Sequence, residues 1–207
     1  MWDGPTPPYR VETERLVVRC WDPRDASKLD EAAQESMDEL RPWMQWAAEP
    51  TVEPTGEVLR RFRGGFDLGH DFLYGLFSPD ETEVLGGSGL HTRSEGGLEI
   101  GYWIRSSRAG EGLATETAAA LTRVGIERCG VARMDIQVEP GNEASLRVAR
   151  KLGYRELGLL PGQLTPLRRG GPRRDAVLFA LLRDELADSP CAAVEYEAFD
   201  AAGRRLP

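Results

Sequence analysis

Residues 98–123 constrain the fold more than any other stretch, because three kinds of local preference succeed one another there without a gap. Leu98–Ile104 (LEIGYWI) alternates Ile100, Tyr102 and Ile104 with Glu99, Gly101 and Trp103, the two-residue period of a strand. Arg105–Gly112 (RSSRAGEG) is too rich in glycine and serine to continue it. Leu113–Gly130 then carries Ala114, Ala118, Leu121 and Gly125 along one helical face. A glycine loop that opens a helix presents unpaired backbone N–H groups at the positive end of the helix dipole, which suits a phosphate or diphosphate. A P-loop is excluded, since Leu113 and Ala114 follow Gly112 where Lys and Ser/Thr would be needed.

The totals narrow the setting. A chain of 207 residues, 41% hydrophobic and 29% charged, has the composition of a globular protein that can bury a substantial core. It has no apolar run of about 20 residues for a membrane span, and its start, MWDGPTPPYR, lacks the pattern of a secretory signal. Cys20, Cys129 and Cys191, odd in number and widely spaced, fit reduced thiols in a cytoplasm better than a disulfide frame. The net charge of −8 argues against nucleic acid bound over a broad surface and is compatible with a cationic substrate such as an amine. With only His70 and His91 and dispersed cysteines, no metal-ligand spacing is visible, and no metal is expected.

Around the central stretch, Glu12–Trp21 reads as a strand and Asp22 as an N-cap. Ala26, Leu29, Ala33, Met37 and Leu40 form a helical stripe that breaks near Ser36 or at Pro42. Trp43, Met44 and Trp46 either wedge that segment against the sheet or, through one tryptophan, line a substrate pocket. Pro54 starts another helix, expected to falter at Gly64-Gly65. Phe72–Ser78 and Glu83–His91 read as a hairpin turning at Pro79–Thr82, and residues 94–97 turn the chain into Leu98. Ala132–Glu139 is a further strand; Asn142 caps a helix that Gly153 ends. Tyr154–Leu160 and Asp175–Leu182 close the sheet, joined by a loop with Arg168, Arg169, Arg173 and Arg174 that is either solvated or in contact with a ligand phosphate. Residues 1–11 read as a loose start, 12–186 as the domain, and 187–207 as an extension, disordered or a short hairpin.

The order of these elements, with EIGYWI, GEGLATE and EPGNEASLRVARKLGY, resembles the GNAT acetyltransferases, and within them the RimJ/RimL type, which acetylates protein N-termini and has relatives acting on small amines. TERLVVR, RPWMQWA and RDAVLFALLRDE extend the similarity over Glu12 to Glu185. The resemblance implies one mixed α/β (α+β) domain, a mostly antiparallel sheet of about six or seven strands with splayed middle strands, flanked by helices. It also implies acetyl-coenzyme A as cosubstrate, a peptide N-terminus or small molecule as acceptor, and a homodimer. The diphosphate would lie on Arg108, Ala109, Gly110, Glu111, Gly112, Leu113 and Ala114, and the pantetheine arm along Trp103 and Ile104. Ala109 departs from the family's usual Gln or Arg, a position that Arg108 could partly serve.

Acetyl transfer to an amine needs an oxyanion donor, a base for the amine and a proton for the thiolate. A backbone N–H near Trp103 or Ile104 would serve the oxyanion. Glu99 is the first candidate for the base, acting through water, or else a solvent-facing glutamate of an alternating strand. Ser145, in the family's Asn-x-x-Ser, would protonate the sulfur with Asn142 capping the helix; alternatively both residues are only a helix start. Tyr154 is the runner-up donor. Trp43, Trp46, His91 and Glu99 are the candidates for acceptor binding, His91 only if it faces the cleft.

Overall fold

The computed structural model describes residues 2–50, 52–92 and 96–207. The strand expected over Glu12–Trp21 is two strands, β1 (Arg10–Glu12) and β2 (Val17–Cys20), paired antiparallel. The polar run between them turns because Thr13 N–H donates to the Leu16 carbonyl (2.9 Å) and Leu16 N–H donates to Thr13 Oγ1 (3.2 Å). Val17 and Val18 are both buried, so β2 has both faces covered.

Helix α1 (Ala26–Glu35) gives way at Ser36 to α2 (Met37–Leu40), and α3 (Gln45–Ala48) follows. Helix α4 (Thr55–Asp67) runs through Gly64-Gly65, where a break is expected from sequence. Phe66 outweighs the two glycines: it is fully buried, with its ring 5.2 Å from those of both Phe72 and Tyr74, against a propensity cost of about 1 kcal/mol per glycine.

Strands β3 (Phe72–Phe77) and β4 (Val84–His91) form the expected hairpin, and the turn expected over 94–97 lies partly outside the described residues. Then come β5 (Gly97–Ile104), α5 (Leu113–Arg123) with a wide π-type turn at Val124–Arg128, β6 (Arg133–Val138) and α6 (Glu143–Lys151). The turn packs tightly on the sheet: a Cβ on Gly125 would lie 2.3 Å from the Met134 sulfur. Strands β7 (Arg155–Leu164) and β8 (Arg174–Leu182) follow.

Beyond residue 182 the chain makes two 3-10 turns, Arg183–Asp188 and Pro190–Ala193, and a last strand, β9 (Glu197–Phe199). β9 pairs with β1, Arg10 opposite Phe199, so both segments expected at the periphery belong to the sheet. Of the expected hairpin there is a single bridge, Phe199 to Arg205. Among the described residues the sheet therefore has nine strands, where six or seven are expected, in the order β7-β8-β6-β5-β4-β3-β2-β1-β9.

Its pairings are antiparallel except β5 with β6. That parallel pairing is brief, Gly97–Glu99 against Arg133–Asp135, whereas β5 stays on β4 as far as Ile104 and β6 stays on β8 as far as Val138. From Ile100 and Ile136 onward the two strands follow different neighbours and a gap opens between them. The main core lies under α5 and α6; a smaller cluster of Val17, Phe77 and Val84 packs against Ala32 of α1 and Leu59 of α4 on the other face.

Candidate active site

The gap exposes backbone. Arg105 N–H donates to the Leu85 carbonyl on β4 at 2.8 Å. Peptide groups alternate sides along a strand, so the amides of Trp103 and Gly101 face β4 too, and those of Tyr102 and Ile104 face the gap. Of the two positions expected for an oxyanion donor, Ile104 has the right direction, Trp103 does not, and Tyr102 takes its place.

At the end of β5 the loop is clamped to α1 and α2. Arg105, nearly buried, donates to Glu31 (2.7 Å) and Glu35 (2.6 Å); Ser107 N–H donates to Glu35 and Ser106 N–H to Ser36 Oγ. The hydrogen bonds from Arg105 and then Ser107 hold Glu35 down at about 2. The glycines come next, Gly110 at φ 84° and Gly112 at φ 83°, both in left-handed conformations that suit glycine, with Gly112 at the N-cap of α5. A Cβ on Gly110 would meet nothing within 4 Å, so the space beside this glycine is open. Arg108 is committed to Glu111 (2.9 Å) and Glu83 (2.8 Å), and Arg15 donates to the Glu111 carbonyl (2.9 Å). The Glu111 carboxylate is thereby turned onto Arg108, and Ala109 is extended at ψ 145°. The amides ahead of Leu113 and Ala114 could hold a diphosphate, and the gap between β5 and β6 an extended arm.

On one face of β5, Tyr102 points toward α6. Asn142 Oδ1 accepts from Ser145 N–H (3.2 Å) and fixes the first turn, and Ser145 Oγ lies 2.9 Å from the Tyr102 hydroxyl. Burial pushes Tyr102 up to about 12, against a smaller opposing effect of the Ser145 hydrogen bond, so it keeps its proton at neutral pH. Tyr154 lies elsewhere: it is buried in the core with its hydroxyl 2.7 Å from Thr122 Oγ1. The hydroxyl beside Ser145 is that of Tyr102, which sequence reasoning passed over as one apolar-face residue of an alternating strand. A tyrosine among inward positions needs a partner for its hydroxyl, and that was the available signal.

The other face of β5 carries Glu99 and Trp103. Glu99 is buried rather than solvent-facing, and Gln137 Nε2 of β6 donates to its Oε2 at 2.7 Å, across the point where the strands part. His91, directly opposite Glu99 on β4, holds its Nδ1 2.9 Å from Asp71 Oδ1. Trp46 of α3 is half exposed and stands over Trp103, ring centroids 5.5 Å apart, whereas Trp43 offers its carbonyl to Arg174 (3.4 Å). An open cavity of about 610 Å³ is lined by Ala47 and Ala48 of α3, by Arg168 of the loop between β7 and β8, and by Arg174 at the start of β8. Arg174 is paired with Glu139 there.

Residues 15–155 match the acetyltransferase (GNAT) domain model. The chain is 31% identical over 180 residues, 84% of its length and 91% of the relative's, to the [Ribosomal protein uS5]-alanine N-acetyltransferase of Escherichia coli. Mycobacterium smegmatis RimJ, solved in complex with CoA-disulfide, superimposes with a TM-score of 0.79 at 26% identity, over 91% of this chain and 94% of that one. A RimL ribosomal alpha-N-protein acetyltransferase in complex with coenzyme A shares the fold, with a TM-score of 0.70 at 21% identity over 83% and 96%. With the nine-stranded sheet parted between β5 and β6 over a glycine loop, these matches place the chain in the GNAT acetyltransferase family, as an N-acetyltransferase of the RimJ/RimL type.

Proposed function

We propose that this enzyme transfers an acetyl group from acetyl-coenzyme A to a primary amine by direct attack, and that the amine is a protein N-terminal α-amine. The observation that carries the reading is the Tyr102–Ser145 hydroxyl pair beside a gap whose backbone amides are unpaired by β6. The cosubstrate supplies an activated thioester. The chain would hold its diphosphate on the amides around Gly110 and Gly112 and its arm along Trp103 and Ile104. Amides of Tyr102 and Ile104 stabilise negative charge on the carbonyl oxygen. Ser145, backed by Tyr102 and sitting at a helix N-terminus, gives a proton to the departing sulfur. Glu99 draws the acceptor's ammonium form to the opposite face.

An α-amine suits this site because its pKa of about 7.7–8.0 leaves a useful neutral fraction near pH 7, whereas a lysine near ~10.4 has almost none. The uS5-alanine specificity in the E. coli relative's name points the same way. Thiol release measured with synthetic peptides beginning in alanine or serine, against lysine side chains and free polyamines, tests the assignment. Fastest turnover on N-terminal peptides supports it. Tight coenzyme A binding with no turnover on any amine makes the chain an acyl-coenzyme A-binding module instead.

A further inference from the structure

His91 is set where a proton acceptor for the amine would stand. Its strand neighbour Gly89 and the facing Gly101 each lack a side chain, and the imidazole lies flat over both: a Cβ on either would be 3.0 Å from Nε2. Gly101 is two residues past Glu99, the last β5 residue paired with β6. The ring of a β4 residue therefore lies over Gly101 of β5, the strand that borders the gap, on the face opposite the Tyr102–Ser145 pair. Its other nitrogen is tied back. Nδ1 is 2.9 and 3.0 Å from the two oxygens of Asp71, in the turn before β3. A carboxylate can only accept, so in the neutral ring the proton sits on Nδ1 and Nε2, the atom that lies over Gly89 and Gly101, keeps the lone pair. Among the described residues, the charged side chains that contact and register place beside this ring are Asp71 and Glu99.

We infer that His91 Nε2 is the catalytic base of the transfer and that Asp71 is a positioning residue that fixes its tautomer and orientation. The step balances. The amine nitrogen attacks the thioester carbonyl carbon from the His91 face, an N–C bond forms and the C–S bond breaks. The amine proton passes to Nε2, directly or through one water; the thiolate takes a proton from Ser145 on the opposite face, and the Ser145 hydroxyl is restored by a proton from solvent. His91 then releases its proton to solvent. Base and acid on opposite sides of the sheet never compete for one proton. Glu99 is left as the residue that attracts and orients the amine. The inference rests on the acetyltransferase reading proposed above.

The test uses the full chain and peptides with N-terminal alanine or serine. His91→Gln should lower kcat about a hundredfold at pH 7, the contribution usual for one general base, with the affinity for coenzyme A within twofold. The loss should shrink above pH 8, where the α-amine is already neutral. His91→Ala should regain turnover with added imidazole. Asp71→Asn should cost about tenfold, and nitrogen NMR should show the His91 tautomer moving from Nδ1–H in the parent to Nε2–H in the variant. With only His70 as a second histidine, the signal is assignable by difference. An active parent whose His91→Gln variant stays within threefold, or changes only the acceptor KM, overturns the inference alone. A parent inert on every amine overturns the acetyltransferase reading and the base with it. An unchanged tautomer in Asp71→Asn removes Asp71 from the proposal.

Discussion

The two faces of β5 are built by opposite means. Behind Ile100 and Tyr102 the sheet is filled by α5 and α6: Leu98, Ala118, Leu121 and Leu146 are buried there, and among the described residues the Tyr102 hydroxyl has one partner, Ser145. Around Glu99 and Trp103 the sheet is paved with Gly87, Gly89 and Gly101, and what is not there matters as much as what is. Packing fixes a reactive group by crowding it; omission of side chains lets a neighbour's ring lie down where a reactant must come. A site that passes a group through a sheet needs both, one face rigid and one face clear.

The comparison can be broken most severely on the filled face. Tyr102→Phe should lower kcat about a hundredfold in a thiol-release assay while coenzyme A affinity, read by calorimetry, changes little. Equal loss of both would make Tyr102 a packing residue. On the glycine side, Gly86 has φ 156° and a Cβ there would lie 2.1 Å from the Trp103 carbonyl, so Gly86→Ala should cost about 2 kcal/mol in denaturant unfolding. Gly101→Ala is subtler: the strand accepts alanine, but the methyl displaces His91, and kcat should fall about tenfold with little change in Tm. Smallest is Glu35→Gln, which loosens the Arg105 loop and should weaken coenzyme A binding roughly threefold. The pH dependence has a definite sign. Glu35 is depressed in the folded protein to about 2, from an ordinary 4.5, so its clamp is complete above pH 4.5 and lost as pH falls toward 2.

How much of this could be read beforehand divides along the same line. The glycine loop, the Asn142 cap and Ser145 were legible because each is a local device, a left-handed turn or a side chain bonding an amide three residues on. The helix break at Ser36 was legible for the same reason. Tyr102 was not, since which of two tyrosines meets Ser145 depends on where α5 and α6 settle. Tyr154 follows a helix-ending glycine, yet its hydroxyl is turned to Thr122 in the core. Gly64-Gly65 misled because propensity is weak against a buried phenylalanine. Asp71 carries no motif at all; only the approach of β3 to β4 brings it to His91. The direction of the Trp103 amide depended on pairing register, which alternation alone leaves open.

The strand that closes the sheet comes from the far end of the sequence. Because β9 lies on β1, that edge of the sheet cannot be finished until residues 197–199 have been made. Contacts so distant along the chain are slow to form, which makes their closure a late event in folding. Arg10 and Phe199 stand side by side, so joining β9 to β1 through a short turn there and opening the 78–83 turn should preserve the strand order while making that late contact an early one.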